Sequence, residues 1–243
     1  MNKIAIISDI HGNLPALKSV LEDIQHLNIN EIYNLGDVLY GPLLPLETHE
    51  FLKNQNIVNI RGNCDRALTE PVDFSNSTMN QVRKSINNEI KEWLYNLPKT
   101  IMHDDMLFCH GTPSIDNEYL LEKVTHSGVE YKKQEELEKE LSLINARYIF
   151  CGHSHVCNIV KLKNKVIINV GSVGLPAYED ELPYIHKMES GSPSACYCIF
   201  EKFPDNSYHV DFRKVMYNWE EMAILAENKG RNDWAIALRT GKV

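Results

Sequence analysis

Five short polar clusters recur along this chain of 243 residues, and each directly follows an apolar, strand-like run. The clusters are Asp9-Ile10-His11, Gly36-Asp37, Gly62-Asn63-Cys64-Asp65, His110-Gly111 and Gly152-His153-Ser154-His155. In an open α/β sheet the carboxyl ends of the parallel strands converge on one crevice, so side chains distant in sequence meet there. The pattern therefore predicts an α/β fold in which the clusters form a single pocket.

The first sixty residues alternate between strand and helix patterns. Residues 3–8 form an Ile-rich run that is too short for a helix and predicts a buried parallel strand. A helix is expected next, because Asn13 is a good N-cap, a proline follows closely, and leucines recur at helical spacing. Residues 31–35 and 55–60 predict two more strands, with a helix at 46–52 between them. This is a βαβαβ opening.

The same periodicities predict the remaining elements. An apolar stripe predicts one long helix over residues 77–97, and the charged stretch 114–144 predicts a solvated helix face or a lid. A loop at 171–193 is longer than an ordinary connection. Strands are expected at 99–102, 106–109, 148–151, 156–162, 166–170, 195–200 and 208–215. We expect one domain over residues 1–243, with a helical cap insertion around 77–140 and C-terminal helices within 219–238.

The composition is that of an ordinary globular chain and excludes several classes of function. Hydrophobic residues make up 43% of the sequence, charged residues 24%, and the mean hydropathy is -0.32. No apolar run approaches the roughly 20 residues that cross a bilayer, so no membrane partner is expected. A net charge of -8 is unfavourable for binding duplex nucleic acid or anionic lipid. The N-terminal residues lack the pattern of a secretory signal and the six cysteines lack paired spacing, so we expect a cytoplasmic protein with reduced thiols.

The polar clusters carry side chains that bind metal ions. Seven of them offer carboxylate, amide or imidazole donors: Asp9, His11, Asp37, Asn63, His110, His153 and His155. A single ion does not need seven protein ligands, whereas two divalent ions about 3.5–4 Å apart do, with one carboxylate bridging them. Oxygen and imidazole donors without thiolate suit manganese, iron or zinc, and manganese is our first expectation.

Each cluster taken alone has an ordinary structural explanation. An isolated Asp-x-His motif recurs by chance, and Gly36-Asp37 alone is more often a turn. All five in order, each at a strand end, favour the functional interpretation. Outside the clusters, four arginines that could contact phosphate are better explained as solvated or ion-paired, namely Arg61, Arg66, Arg231 and Arg239. Trp219 and Trp234 are expected to dock the terminal helices.

The ordered clusters strongly resemble the five motif blocks of the calcineurin-like metallophosphoesterase superfamily. The segment Asn169-Val170-Gly171-Ser172-Val173-Gly174 further resembles the small prokaryotic phosphodiesterase branch. The resemblance implies a four-layer αββα sandwich of two mixed β-sheets flanked by helices, here with a small helical insertion. It implies one ion held by Asp9, His11, Asp37 and His155, and a second held by Asp37, Asn63, His110 and His153. Asp37, Asn63 and His110 would be the catalytic residues.

One position departs from the superfamily pattern. Many relatives have His after the metal-binding Asn, where it is taken to protonate the leaving oxygen, but this chain has Cys64. The small prokaryotic branch also tends to carry Cys there. Weak general-acid chemistry favours substrates with good leaving groups. The next residue, Asp65, could orient a water, hold the loop or begin a helix.

The sequence thus predicts a hydrolase that cleaves phosphodiester or related phosphoester bonds through attack by a metal-bound hydroxide. A dinucleoside polyphosphate hydrolase and a phosphoprotein phosphatase are the alternative enzymes. A noncatalytic scaffold of the same fold is the alternative from another class, although a scaffold has no physical reason to keep seven competent ligand positions. The expected partner is a small phosphoester or nucleotide substrate, and the oligomeric state stays open.

Overall fold

The computed structural model describes residues 2–70 and 77–243, which contain fourteen strands and eight helices. The strands are β1 (Asn2–Ile7), β2 (Glu31–Asn34), β3 (Val58–Asn59), β4 (Thr100–His103), β5 (Met106–Cys109), β6 (Glu122–Thr125), β7 (Gly128–Tyr131), β8 (Tyr148–Cys151), β9 (Asn158–Lys161), β10 (Val166–Asn169), β11 (Ala177–Asp180), β12 (His186–Glu189), β13 (Ala195–Lys202) and β14 (Tyr208–Val215). The helices are α1 (Leu14–His26), α2 (Pro45–Leu52), α3 (Asn63–Thr69), α4 (Ser77–Ser85), α5 (Asn88–Asn96), α6 (Gln134–Glu140), α7 (Trp219–Asn228) and α8 (Asn232–Thr240). Across these two ranges, no helix combines the length and the apolar character needed to span a bilayer.

Two five-stranded sheets of mixed direction organise the described part of the chain. The first has the order β14-β13-β1-β2-β3, in which β1, β2 and β3 are parallel and β13 and β14 pair antiparallel. The second has the order β4-β5-β8-β10-β9, in which β5, β8 and β10 are parallel and the two edge strands antiparallel. In each sheet three parallel strands therefore end on one side, where loop residues can gather.

The two sheets pack face to face, with helices on their outer faces. Residues of β1 alternate between the two sides: Ile4 and Ile6 face the second sheet, whereas Ala5 faces the helices. Between the sheets, Phe108 stacks on Tyr33 with ring centroids 4.0 Å apart. Helices α1, α4 and α5 cover the first sheet, and α6 covers the second. This arrangement confirms the predicted four-layer αββα sandwich.

The two terminal helices pack on each other and on loops at the carboxyl ends of the strands. Trp234 and Leu238 of α8 are buried with Met222 of α7. The same cluster includes Leu43 from the loop after β2 and Leu175 from the loop after β10. Helix α8 is thereby fixed beside the polar clusters, and Trp234 docks it as expected.

The prediction of one continuous helix over residues 77–97 is wrong. Helix α4 ends at Ser85 and α5 begins at Asn88. Asn87 breaks the helix, because its side-chain Oδ1 accepts the backbone N–H of Ile90 at 2.9 Å and caps α5. Ile86 and Ile90 are both buried, so the apolar stripe continues across the break and conceals it in the sequence.

Two other stretches contain strands where the sequence predicted helix or loop. The charged stretch 114–144 holds the antiparallel hairpin β6–β7 before the short helix α6. Gly128 has a φ of 114° at the turn, a conformation that favours glycine. The predicted loop at 171–193 contains the antiparallel hairpin β11–β12. The single domain with a cap insertion around 77–140 stays a prediction.

Candidate metal centre

All seven donors predicted from the sequence follow parallel strands of the two sheets. Asp9 and His11 follow β1, Asp37 follows β2, Asn63 follows β3, His110 follows β5, and His153 and His155 follow β8. The fold brings distant segments together: Nε2 of His11 lies 3.2 Å from Nε2 of His155, which is 144 positions along the chain.

The backbone of these loops is strained at the donors. Five of the seven have φ between 50° and 66°: Asp9, His11, Asp37, His153 and His155. For residues other than glycine this left-handed conformation costs about 1–2 kcal/mol each. Main-chain hydrogen bonds between loops hold it, since the N–H of Asp9 donates to Gly36 at 3.0 Å and the N–H of His11 to Asp37 at 2.9 Å. Such strain at converging polar residues is typical of a functional site.

Asp9, His11 and His155 form a first group, in which the donor atoms lie within 4.8 Å of one another. Oδ1 of Asp9 is 3.2 Å from Nε2 of His155 and 3.8 Å from Nε2 of His11. All three residues are buried. Among the described residues, this Asp9 oxygen has no hydrogen-bond partner. A buried, unpaired carboxylate oxygen is unfavourable unless a cation compensates it.

Three of the imidazoles are oriented by main-chain carbonyls. In each, Nδ1–H donates to a carbonyl oxygen: His11 to Tyr40 at 2.9 Å, His110 to Leu35 at 2.8 Å, and His155 to Leu175 at 2.6 Å. A carbonyl only accepts, so a neutral His11 or His155 ring carries its proton on Nδ1 and presents the Nε2 lone pair to the pocket. The facing Nε2 atoms of His11 and His155 then need a proton or a metal ion between them. Metal-binding histidines are commonly held in this way.

Asp9, Asp37 and His110 form a second group, again with donor atoms within 4.8 Å. Nε2 of His110 lies 3.4 Å from Oδ2 of Asp37, 3.9 Å from Oδ1 of Asp9 and 2.9 Å from Oδ1 of Asn63. The same Asp37 oxygen is 4.0 Å from Nε2 of His11. Asp9 therefore belongs to both groups, and Asp37 of the second group also faces His11 of the first.

The electrostatics of the cluster favour positive charge. Burial opposes protonation of His110, but the carboxylates of Asp37 and Asp9 outweigh it and raise the His110 pKa to about 10. Burial also opposes ionisation of Asp9, yet the neighbouring imidazoles hold its pKa at about 2. Burial lowers the pKa of His11 and of His153 to about 4. The Asp9 carboxylate is thus ionised and the His11 and His153 imidazoles are neutral, which are the protonation states that bind divalent ions. The carboxylates that hold a proton on His110 would equally attract a metal ion, so the donor set fits a metal.

His153 lies beside these groups rather than within them. Its backbone N–H donates to Oδ2 of Asp9 at 3.1 Å, and its ring centroid is 5.2 Å from that of His110. Its carbonyl accepts a hydrogen bond from the Tyr178 hydroxyl at 2.8 Å. The loop after β8 is thus tied both to β1 and to the hairpin β11–β12.

Asp65 holds the loops that carry Asp37 and Asn63. Its carboxylate accepts backbone N–H groups of Asp37 at 2.8 Å, Val38 at 2.9 Å and Gly62 at 3.0 Å. Of the roles left open by the sequence, the structure supports holding the loop at the start of α3. A side chain at Gly62 would overlap Oδ1 of Asp37. That oxygen accepts the N–H of Cys64 at 2.8 Å, which leaves Oδ2 for the pocket.

A chain of buried polar side chains supports the loop after β8, and its acidic member, Glu122, was not predicted from the sequence. Asn169 donates to the carbonyl of Gly152 at 2.7 Å and to Oγ of Ser154 at 2.9 Å. Ser154 in turn donates to Glu122 of β6 at 3.2 Å. Burial raises the pKa of Glu122 to about 7. Glu122 was missed because a lone acidic residue in a charged stretch has no pattern that distinguishes it from its solvated neighbours.

A cavity of about 580 Å³ opens over the cluster. Five of the donors line it: His11, Asp37, Asn63, His153 and His155. Other lining residues belong to no motif that the sequence marked, and they include Tyr40, Leu175, Ala177, Tyr178, Arg231, Trp234 and Ile236. The edge of the Trp234 ring meets His11 with centroids 5.8 Å apart. Trp234 therefore packs against the donor cluster as well as docking α8.

Stacked mixed sheets with carboxylate and imidazole donors at their strand ends are the arrangement expected of a metallophosphoesterase. Residues 2–190 match the family model of the calcineurin-like phosphoesterase superfamily domain. The chain belongs to this superfamily, and the resemblance inferred from the motif blocks is confirmed. Residues 191–243, which include α7 and α8, lie outside that match.

Individual relatives are similar to this chain over most or nearly all of its length. An uncharacterized protein of Methanocaldococcus jannaschii is 28% identical over 232 residues, which is 88% of each chain. A metallophosphoesterase from Sphaerobacter thermophilus has a TM-score of 0.75 and 24% identity, over 98% of each chain. A hypothetical protein from Pyrococcus horikoshii OT3 has a TM-score of 0.75 and 17% identity, over 99% of each chain. At these identities the structural likeness establishes the fold.

Proposed function

We propose that this chain is a metal-dependent hydrolase that cleaves phosphodiester bonds in small substrates at a centre of two divalent ions. The observation that carries the proposal is the pair of donor groups that share Asp9 beneath an open cavity, with Asp37 of the second group also facing His11 of the first. Membership of the phosphoesterase superfamily supports the same reaction class. A scaffold would have no physical need for two buried carboxylates beside the neutral imidazole of His11.

The proposed ligands divide into two sets that share Asp37. One ion would be held by Asp9, His11, Asp37 and His155, and the other by Asp37, Asn63, His110 and His153. The sharing of Asp37 is supported by its Oδ2, which lies 3.4 Å from Nε2 of His110 and 4.0 Å from Nε2 of His11. Mixed oxygen and imidazole donors suit manganese, with iron or zinc as alternatives.

The chain's own residues supply orientation and a fixed electrostatic environment. Bound divalent ions supply the positive charge that stabilises developing charge on the phosphoryl oxygens and lowers the pKa of water. Asp37, Asn63 and His110 lie together and are the residues proposed to contact the reacting group. Their positions are fixed in advance, since Asp65 holds the Asp37 loop and the Leu35 carbonyl holds His110.

Cys64 determines which leaving groups are favourable. Burial, together with the neighbouring Asp37 carboxylate, raises the pKa of the Cys64 thiol well above its usual value. A thiol that keeps its proton so firmly is a poor general acid for a departing alkoxide. We therefore propose that the substrates have good leaving groups, as in diesters of acidic alcohols such as phenols or in nucleotide anhydrides, rather than alkyl monoesters.

Hydrolysis of bis(p-nitrophenyl) phosphate by chelator-treated protein reconstituted with Mn²⁺ tests the proposal. We expect Mn²⁺-dependent release of p-nitrophenol, and a loss of at least about 100-fold in Asp37→Asn, because a neutral amide bridges two cations poorly. Asp104→Asn is the matched control, since Asp104 is exposed in the β4–β5 turn and its φ of 53° suits Asn.

The same assay distinguishes the alternatives. Turnover of dinucleoside polyphosphates or phosphopeptides in preference to diesters would favour the other enzyme classes. Failure of the protein loaded with Mn²⁺, Fe²⁺ or Zn²⁺ to hydrolyse any of these substrates would contradict the proposal and favour a scaffold. A cytoplasmic location, a small phosphoester or nucleotide as partner, and no binding to duplex nucleic acid or membranes stay part of the proposal.

A further inference from the structure

One wall of the cavity comes from a part of the chain that the family match does not cover. That match ends at residue 190, whereas Arg231, Trp234 and Ile236 line the cavity from α8 and its N-cap. The wall is firmly built, because Trp234 is 4% exposed and packs with Leu175 in the cluster beneath α8. What this wall contacts in a substrate is therefore decided by residues outside the matched superfamily domain.

The wall offers an apolar surface beside the donor cluster. Trp234 and Tyr40 lie edge to face with ring centroids 6.1 Å apart. Leu175, Ala177 and Ile236 extend the apolar lining. Ile236 is 51% exposed although it lines the cavity, so its side chain is available to a ligand. Surfaces of this kind bind flat or apolar groups.

The cation on this wall is already paired. Among the described residues that line the cavity, Arg231 is the one Lys or Arg. It donates from Nε and Nη2 to the carboxylate of Asp233 at 2.9 and 2.6 Å, and from Nη1 to Thr78 at 2.6 Å. With its charge balanced by Asp233, Arg231 gives little net attraction for an additional anionic group.

The neighbouring wall is acidic. Glu179 and Asp180 of β11, and Glu181 after it, line the cavity and are exposed. Nζ of Lys187 lies 3.7 Å from Oε2 of Glu179, and both side chains are about half exposed. This exposed ion pair compensates the charge of Glu179 only weakly. A ligand in the cavity thus meets excess negative charge outside the donor cluster.

We infer that α8 and β11 make this cavity selective for monoanionic phosphodiesters over phosphomonoesters, with Ile236 and Trp234 holding the ester group that is not cleaved. The inference rests on the proposed function and names the residues that set its specificity. A diester keeps a second organic group, which the apolar wall can contact, and carries one negative charge. A monoester lacks that group and carries nearly two negative charges at neutral pH, which the β11 carboxylates repel.

The apolar contact is tested by Ile236→Ala, assayed with Mn²⁺ on bis(p-nitrophenyl) phosphate and on p-nitrophenyl phosphate. We expect KM for the diester to rise about 3–10-fold, the loss typical of removing apolar contact from a bound group. KM for the monoester should stay within about twofold, because it has no second group. Ile224→Ala on α7 is the matched control, since Ile224 is 47% exposed and outside the cavity lining. Equal changes on both substrates, or an unchanged diester KM, would overturn the inference.

The acidic strand is tested independently by Glu181→Lys. We expect the ratio of monoester to diester kcat/KM to rise about threefold at low ionic strength and the gain to shrink in high salt, as for a screened charge. Glu138→Lys, an exposed position on α6 outside the cavity lining, should leave the ratio unchanged. An unchanged ratio of monoester to diester kcat/KM in Glu181→Lys, or an equal rise in Glu138→Lys, would contradict the inference that the β11 carboxylates repel the monoester.

The wild-type protein distinguishes failure of this inference from failure of the proposed function. If it hydrolyses neither substrate with any of the three metals, the proposed function fails and the inference fails with it. If it hydrolyses both and its kcat/KM is higher for the monoester, the proposed function stands as a phosphoesterase and the selectivity is wrong. A higher kcat/KM for the diester, with the two variant responses above, supports the inference.

Discussion

At the scale of single residues, the candidate site depends on which atom of each donor is left to face the pocket. Asp37 accepts a backbone N–H on Oδ1 and presents Oδ2 to His110. His11 and His155 donate from Nδ1 to main-chain carbonyls and present Nε2. One hydrogen bond on the outer side of each ring thus fixes both its tautomer and its direction.

The first prediction concerns Cys64. Because its thiol stays protonated, Cys64→Ser should change kcat/KM on aryl diesters by less than about threefold. If Cys64 replaces a missing general acid, Cys64→His should raise kcat/KM on alkyl diesters by up to about 10²–10⁴-fold and change aryl diesters little. Steady-state kinetics on paired alkyl and aryl substrates measures both. A large loss in Cys64→Ser at unchanged metal content would instead show a direct role for the thiol.

The second prediction concerns the buried Glu122. Its pKa is about 7 in the folded protein against 4.5 as the ordinary value, so the folded state binds the proton more tightly than the unfolded state. The free energy of unfolding therefore falls as pH rises from about 4.5 to about 7. Glu122→Gln removes this penalty and should be more stabilising at pH 8 than at pH 5 by about 2–3 kcal/mol.

Urea denaturation of wild type and Glu122→Gln at the two pH values measures this difference. Glu138→Gln, at an exposed position, is the control and should show no such pH dependence. A Glu122→Gln effect that is equal at both pH values would mean that Glu122 is ionised in the folded protein.

The gathering of these seven side chains at the strand ends could be predicted because their residue types recur in order after strand-like runs, and their roles as metal ligands stay a prediction. The contribution of Glu122 and the contact of Trp234 with His11 could not be predicted, because both depend on burial that only the tertiary structure creates. Glu122 supports the loop after β8 because the fold places β6 next to Ser154. Trp234 contacts the donor cluster because the fold places α8 next to His11.

At the scale of elements, the hairpin β11–β12 supports the loop after β8. Tyr178 of β11 donates to the carbonyl of His153 at 2.8 Å, and its ring meets that of His155 with centroids 4.6 Å apart. The hydroxyls of Tyr119 and Tyr178 are 2.7 Å apart, and Tyr119 lies 2.8 Å from Nε2 of His186 on β12. The hairpin thereby links the cavity wall to two of the proposed ligands.

The third prediction tests that link with Tyr178→Phe. The variant keeps the ring but loses the hydroxyl that holds the His153 carbonyl, so Mn²⁺ affinity should fall about 10-fold, at the low end for loss of an outer partner. Calorimetric titration of Mn²⁺ into metal-free protein measures it. Tyr184→Phe, in the same hairpin and 39% exposed, should bind Mn²⁺ as wild type does. Unchanged affinity in Tyr178→Phe would show that the hairpin does not support the site.

Periodicity predicted the strands that are buried on both faces and failed where local hydrogen bonds decide the structure. The break at Asn87 depends on one capping bond, which an apolar stripe does not reveal. The charged stretch predicted as a possible lid instead buries Leu137 and Leu141 against the second sheet. Among the described residues, none between 80 and 152 lines the cavity, so the wall comes from α8 and β11.

At the scale of the whole molecule, the stacking of two mixed sheets creates the candidate centre. Sequence periodicity predicted an α/β domain, and the motif blocks predicted the sandwich through the family resemblance. The position of the terminal helices could not be predicted, because residues 191–243 lie outside the family match and carry no motif. The apolar residues of α7 and α8 have a common helical pattern in the sequence. Only the docking of α8 beside the donors shows that some of them line the cavity.

The central claim, a centre of two ions that share Asp37, is tested most directly by metal content. Protein loaded with Mn²⁺ and dialysed against metal-free buffer is analysed for manganese per chain, in wild type and in Asp37→Asn. We expect about two ions per wild-type chain, and one or fewer in the variant, with an unchanged circular dichroism spectrum. A wild-type content of one ion or none, or full occupancy in folded Asp37→Asn, would contradict it.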